Sequence, residues 1–294
     1  VCTSRPLTAT QTAKRWGFQY ATTDYREIID DPEIDAVFVA TRHDTHAFYV
    51  TEALEAGKYV FAEKPIAVNV HQLKEVIRAW KQNPGKLMVG FNRRYSSLIT
   101  EAKKMLQNRT EPLMLNVRIN AGFTPLSHWM YETSQGSGRV IGELCHFIDL
   151  ALYLVGSFPC KLYAENIIEC QKYHYTDNVV IVMKHNDGSL SNIFYTSSGT
   201  RKYARERLEI YCHEQAIIID NFKNMLIKGK YINKKKRLLN SDRGYKNELN
   251  DFIEGVLVKK KFMEEFNQYV YAVSYTHLRA HETEADLVCR LLLE

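Results

Sequence analysis

Three short apolar runs, separated by stretches of helical periodicity, constrain the fold of this chain more than any other feature of its sequence. They are residues 36–40 (AVFVA), 58–62 (KYVFA) and 87–91 (LMVGF). Each run is continuously apolar rather than alternating, as expected of a strand in a parallel sheet whose two faces are both covered. Residues 46–56 and 70–80 read as the covering helices, and Gly57 follows the first where a left-handed residue ends a helix. Alternating strands and helices of these lengths predict a doubly wound, Rossmann-type sheet over residues 1–95. A helical pattern at 9–16 and a helix–turn at 25–32 precede the first run. Val1 opens the chain within what reads as a strand end, so the first strand and its Gly-rich loop are expected upstream of it.

Beyond Ser96 the rhythm changes. Helices are predicted at 98–106 and 140–154, and strands at 113–120, 163–168, 178–184, 191–197, 207–211 and 216–220, with Asn186, Asp187 and Gly188 as a hairpin turn. A last helix is predicted at 245–258, with Asp242 as its cap. The fold class is therefore α/β: an incomplete N-terminal Rossmann-type sheet plus a C-terminal α+β domain, residues 96–272, with a largely antiparallel sheet for substrate and oligomer contacts. Residues 273–283 and 287–294 read as the translation of a sequencing-library adapter, and residues 284–286 fit its index gap. The segment 273–294 is accordingly expected to be a non-native tail without function.

With 294 residues, 45% hydrophobic and 25% charged, the chain has room for two domains. No run approaches the roughly 18 apolar residues of a membrane span, so no membrane partner and a cytoplasmic location are expected. Cys2, Cys145, Cys160, Cys170, Cys212 and Cys289 are scattered without metal-ligand spacing, which predicts reduced, mostly buried thiols and no metal. The densest basic run, 228–237, reads as a solvated hairpin; no nucleic-acid recognition motif accompanies it, so no nucleic-acid partner is expected.

Ligands of doubly wound sheets bind beyond the carboxyl ends of the strands. Lys64, in the segment Glu63, Lys64, Pro65, follows the second apolar run and falls at such an end. An arbitrary lysine there would be a surface ammonium paired with Glu63; the position after a buried strand argues for a role beside a ligand. His146 and Asp149 are three apart on a predicted helix and so share a face. An imidazole titrates near neutrality and suits proton transfer, although a lone buried histidine is more often a satisfied core residue.

The phrases at 52–65 (EALEAGKYVFAEKP) and 138–149 (GRVIGELCHFID) resemble the Gfo/Idh/MocA family of glucose-fructose oxidoreductases and inositol 2-dehydrogenases. The resemblance implies an NAD(P)-dependent dehydrogenase acting on CH–OH groups of a polyol, inositol, sugar or nucleotide-sugar, with Lys64 and His146 as the catalytic pair. It implies Arg93, Glu143, Asp149 and Trp129 on the substrate side, with a domain-linking salt bridge as the other reading of Arg93. Thr41, His43, His46, Glu63, Lys64, Pro65 and Asn92 fall on the cofactor side. The family's aspartate four residues before the histidine is replaced by Gly142, so either Glu143 substitutes or the site works differently. Thr3, Ser4 and Arg5 lie where an acid would bind the ribose of NAD; no acid is present, and Arg5 suits a 2′-phosphate, a lean toward NADP. The segment from Ala121 to Asp149 looks most like a bidomain subgroup in which an alcohol dehydrogenase-like half precedes this module. Pairing into a homo-oligomer through the C-terminal sheet is a further implication. The other reading of the chain is a non-catalytic nucleotide-binding relative acting as a sensor or structural subunit.

Overall fold

Residues 1–132, 138–167, 172–174, 176–263 and 266–277 are described by the computed structural model, 275–277 as backbone alone. The three apolar runs become β1 (Ala36–Val39), β2 (Tyr59–Ala62) and β3 (Leu87–Val89), which pair in parallel in that order. Around them lie α1 (Pro6–Trp16), the short α2 (Arg26–Ile29), α3 (His46–Glu55) and α4 (Val70–Gln82). In α4 the Asn69 side chain accepts the Gln72 N–H at 2.9 Å, and Leu73, Val76 and Ile77, spaced for one helical face, are buried. The reading of residues 1–5 as a strand end reduces to one parallel bridge, Cys2 to Thr22.

The second unit begins with α5 (Ser97–Leu106) and β4 (Met114–Asn120). A π turn, Val140–Leu144, then runs into α6 (Cys145–Val155). Seven strands follow: β5 (Pro159–Asn166), β6 (Asn178–His185), β7 (Leu190–Thr196), β8 (Glu206–Cys212), β9 (Gln215–Asp220), β10 (Asn224–Gly229) and β11 (Ile232–Arg237). With β4 they form an eight-stranded sheet in the order β11-β10-β9-β8-β4-β7-β6-β5, antiparallel except where β4 meets β7. The inner face of β4 (Leu115, Val117, Ile119) packs into the same core as α6. The basic run at 228–237 is the β10–β11 edge hairpin. Lysines on an edge strand oppose pairing with further chains, and Lys234 and Lys236 also bond Glu101 of α5 at 2.7 and 2.6 Å.

The chain closes with α7 (Tyr245–Leu257) and α8 (Phe266–His277). Two expectations are corrected here, on the cap of α7 and on the thiols, and one expected boundary falls inside a helix. Asp242 does not cap α7; Gly244 occupies that position, and the Asp242 carboxylate accepts the N–H groups of Gly244 (2.9 Å) and Ser97 (2.8 Å). Gly244 has φ +87°, and a Cβ there would lie 2.1 Å from the Asn92 carbonyl oxygen, so the close approach of this turn to residues 92–96 requires glycine. The boundary drawn after Ala272 cuts through α8, whose Val273 and Ser274 are buried against the core; the rest of the adapter-like stretch, 278–294, lies outside the described residues. The thiols are not mostly buried: among the described residues only Cys145 is, while Cys160 is exposed and Cys2 and Cys212 are half-buried. Cys170 and Cys289 fall outside the described residues.

Candidate active site

The carboxyl end of β2 carries Glu63, Lys64 and Pro65, the Lys64–Pro65 peptide being cis, and the Glu63 N–H bonds the Val39 carbonyl of β1 at 2.9 Å. Half-buried Lys64 extends from this turn into the second unit, where its Nζ donates to the Gly142 carbonyl at 2.7 Å. That carbonyl belongs to the π turn ahead of α6, and a π turn interrupts the regular helical ladder, a device frequent at functional sites. One turn later, on α6, His146 is 7% exposed, and its Nδ1 has no hydrogen-bond partner among the described residues. Burial, then the positive charges of Arg93, Lys64 and Arg205, hold the imidazole well below its usual pKa, so the ring is neutral at physiological pH. Its neighbour Cys145 is no nucleophile, because burial pushes the thiol up to about 12.

His43, half-buried after β1, closes a second side. Its ring lies edge-on to Trp129 at 5.0 Å and to His46 at 5.9 Å, and burial, Lys64 and His46 lower its pKa to about 4. Lys64, His43, Trp129, the π turn and His146 therefore converge where the two units meet. Glu143 lies beside this group: its Oε2 accepts the Tyr195 hydroxyl at 2.6 Å and lies 3.5 Å from Arg205 Nη2.

Several residues read as ligand contacts have other partners. His46 is 1% exposed, with Nδ1 2.8 Å from the Pro65 carbonyl and Nε2 3.0 Å from the Thr41 carbonyl; its ring braces the ends of β1 and β2 and leaves no nitrogen for a cofactor. Asp149 is fully buried, and both carboxylate oxygens accept from Arg94, Nε at 3.1 Å and Nη2. Arg93 follows its alternative reading: Nη2 pairs with buried Glu206 of β8 at 2.8 Å, and the guanidinium covers the Phe147 ring at 4.7 Å, tying the two units together. Asn92, also buried, donates to the Arg243 carbonyl at 2.9 Å. Thr41 accepts from the Thr45 hydroxyl at 2.8 Å and is exposed, as are Ser4 and Arg5 at the start of α1; Thr3 is half-buried, its hydroxyl donating to the Arg5 carbonyl at 3.0 Å.

Arg94, Arg139, Tyr195, Arg205, Glu206 and Glu248 complete the polar surroundings, and sequence reasoning missed them. Arg94 is next to Arg93 and Arg139 lies within the phrase at 138–149; Tyr195, Arg205 and Glu206 acquire a role only through contacts far apart in the chain, and Glu248 through its burial on α7. Away from the site, ligand atoms of Glu111, Cys212 and His213 come within 4.8 Å of one another, but the Glu111 carboxylate is already engaged by the His213 N–H.

Two family models match the chain. The oxidoreductase family with an NAD-binding Rossmann fold, GFO/IDH/MocA, covers residues 1–91, and the GFO/IDH/MocA C-terminal domain covers 99–218. Levoglucosan dehydrogenase of Pseudarthrobacter phenanthrenivorans is 34% identical over 166 residues, which are 54% of this chain and 42% of that protein. Myo-inositol 2-dehydrogenase of Thermotoga maritima is 26% identical over 220 residues, 73% of this chain and 65% of that one. The chain thus spans less than two thirds of the length of either relative. Among solved structures, levoglucosan dehydrogenase in complex with NADH and levoglucosan superposes with a TM-score of 0.80 at 22% identity, over 95% of this chain and 86% of that one, and so shares the fold.

Proposed function

Because the chain belongs to the GFO/IDH/MocA oxidoreductase family, we propose that it transfers a hydride between a nicotinamide cofactor and a secondary alcohol or ketone of a polyol, inositol, sugar or nucleotide-sugar. The observation that carries this reading is the convergence of Lys64, at the carboxyl end of β2, with His146, a neutral buried imidazole whose Nδ1 is unused. These groups fit the nicotinamide end of such a cofactor: the strand end is where a doubly wound sheet receives it, and Nδ1, without a partner among the described residues, can accept from a ligand hydroxyl. The bound nicotinamide would supply the hydride acceptor or donor. Lys64 orients the reacting oxygen as a hydrogen-bond donor and stabilises negative charge developing on it. His146, with its proton on Nε2, accepts the hydroxyl proton at Nδ1 and returns it in the reverse direction. Arg5, exposed at the start of α1 with no acid beside it, supports a preference for NADP(H).

Replacing Lys64 by alanine is expected to lower turnover about a hundredfold or more, a larger change than any in the affinity for NADPH or NADH titrated by fluorescence. Equal turnover in the two proteins would remove Lys64 from the chemistry. Nucleotide binding without turnover of myo-inositol or levoglucosan by the wild type would favour the second reading, a non-catalytic nucleotide-binding relative, which Gly142 in place of the family's aspartate motivates.

The outer face of the eight-stranded sheet supports self-association. Met114, Leu190 and Tyr211 are neighbours in register across β4, β7 and β8, and exposed Phe194, Val182 and Tyr163 extend the patch. Apolar side chains interleaved with Asn116, Asn192 and Arg118 on one exposed sheet face suit an interface between copies. Sedimentation at micromolar concentration should give a dimer or larger species, and Phe194→Lys should shift it to monomer; a wild-type monomer would overturn the assignment.

A further inference from the structure

Arg139 sits just before the π turn and is 2% exposed. Its Nε donates to the Tyr131 hydroxyl at 3.1 Å and lies 3.3 Å from Asp177 Oδ1; Nη2 donates to the Thr124 hydroxyl; and Nη1 donates to the Tyr195 hydroxyl oxygen at 3.0 Å. Asp177 also accepts the Tyr131 hydroxyl at 2.5 Å, so the guanidinium is neutralised and fixed from behind. A phenol has one proton to give. With its oxygen already accepting from Arg139, Tyr195 donates that proton to Glu143 Oε2 at 2.6 Å. Burial, then the charge of Glu143, raises the Tyr195 pKa well above its usual value, so the phenol keeps the proton across the physiological range.

The chain of donors therefore runs one way, from Arg139 through Tyr195 to Glu143, and it ends on a carboxylate that can only accept. Arg205 approaches the same oxygen, Oε2, so among the described residues both contacts fall on Oε2, and Oε1 is the oxygen that would take a hydrogen bond from a ligand. Glu143 is next in the chain to Gly142, whose carbonyl holds Lys64, and three residues before His146. A carboxylate locked as an acceptor one residue from the lysine contact selects for a ligand that offers a hydroxyl proton there.

We propose that Tyr195, oriented by Arg139, is the positioning residue that holds Glu143 as the acceptor for a substrate hydroxyl, and so sets a preference for polyhydroxylated substrates over deoxy analogues. The proposal rests on the oxidoreductase reading, because it needs a hydroxylated substrate beside Lys64. It differs from that reading in placing specificity on a hydrogen-bond chain that reaches the site from β7.

The test uses the whole chain as Tyr195→Phe, Glu143→Gln and the double variant, with myo-inositol and levoglucosan as probe substrates and urea unfolding as a readout independent of turnover. Each single variant is expected to raise the KM for the probe that turns over about tenfold, with kcat changed less than threefold and the KM for the nucleotide unchanged. The double variant should raise KM no further than the larger single effect, and its urea midpoint should fall no further than the deeper single one. Additive effects on both quantities overturn the role of Tyr195. Non-additive midpoints with an unchanged substrate KM reduce the bond to a structural one and overturn the proposal. No turnover of either probe by a wild type that binds the nucleotide, together with non-additive midpoints across the variants, favours the non-catalytic reading and overturns the substrate role of Glu143, while leaving the Tyr195–Glu143 bond in place.

Discussion

Replacing Asp149 by alanine is expected to cost about 3–5 kcal/mol of stability, the usual penalty for stripping one partner from a buried ion pair. Arg94 is 3% exposed in its side chain and Asp149 is fully buried. The guanidinium lies between the rings of Tyr153 on α6 and Tyr269 on α8, 5.3 and 5.2 Å from their centroids, and Asp149 binds it through both oxygens. Alanine would leave the cation with two ring faces and no counter-ion, in a place that water does not reach. Urea unfolding should show the loss as a lower midpoint with an unchanged slope. Removing both charges, as Arg94→Met with Asp149→Leu, should recover most of it, because the desolvation cost then disappears along with the attraction. The same experiment separates the pair from the chemistry: a substrate role for Asp149 would appear as a raised substrate KM in the fraction of Asp149→Ala that remains folded. The geometry gives no reason for one.

The Arg94–Asp149 pair illustrates what the sequence could and could not convey. A spacing of three puts His146 and Asp149 on one helical face, and both are buried on α6 as the spacing requires. It carries no information about Arg94, which arrives from a turn 55 residues away in the chain. The parallel strands were legible because burial on both faces leaves a continuous apolar run, and Lys64 was legible because it follows such a run immediately. The edge hairpin was legible only in part. The basic side chains of β11 obscure its strand character, although they suit an edge whose other flank is open. Residues 273–277 resemble an adapter translation, yet the backbone of α8 continues to His277 and Val273 packs in the core. Tyr195 and Glu206 belong to strands placed beside the site by sheet order alone, and nothing local to either residue marks it.

Glu248 shows how such pairings become measurable. On α7 it shares the buried helix face with Phe252 and Gly255, and its Oε1 has no hydrogen-bond partner among the described residues. Burial, reinforced by the negative charges of Glu63 and Asp149 and only partly opposed by Arg94, pushes its pKa up to about 9. An exposed glutamate titrates near 4.3 in the unfolded chain. Between these values the folded protein holds a proton that the unfolded chain has released. The contribution of Glu248 is therefore fully present below the unfolded value and is lost as pH climbs through about 9. At about 1.4 kcal/mol per pH unit, raising the pH from about 5 to 8 should cost the wild type on the order of 4 kcal/mol from this group alone. Glu248→Gln keeps the shape and removes the proton, so its stability should gain on the wild type by that amount over the same interval, read as diverging urea midpoints. Glu63→Gln, which removes the larger of the two nearby negative influences, should lower the pH at which this loss levels off. Parallel curves for wild type and Glu248→Gln would mean that the carboxyl is ionised in the folded state.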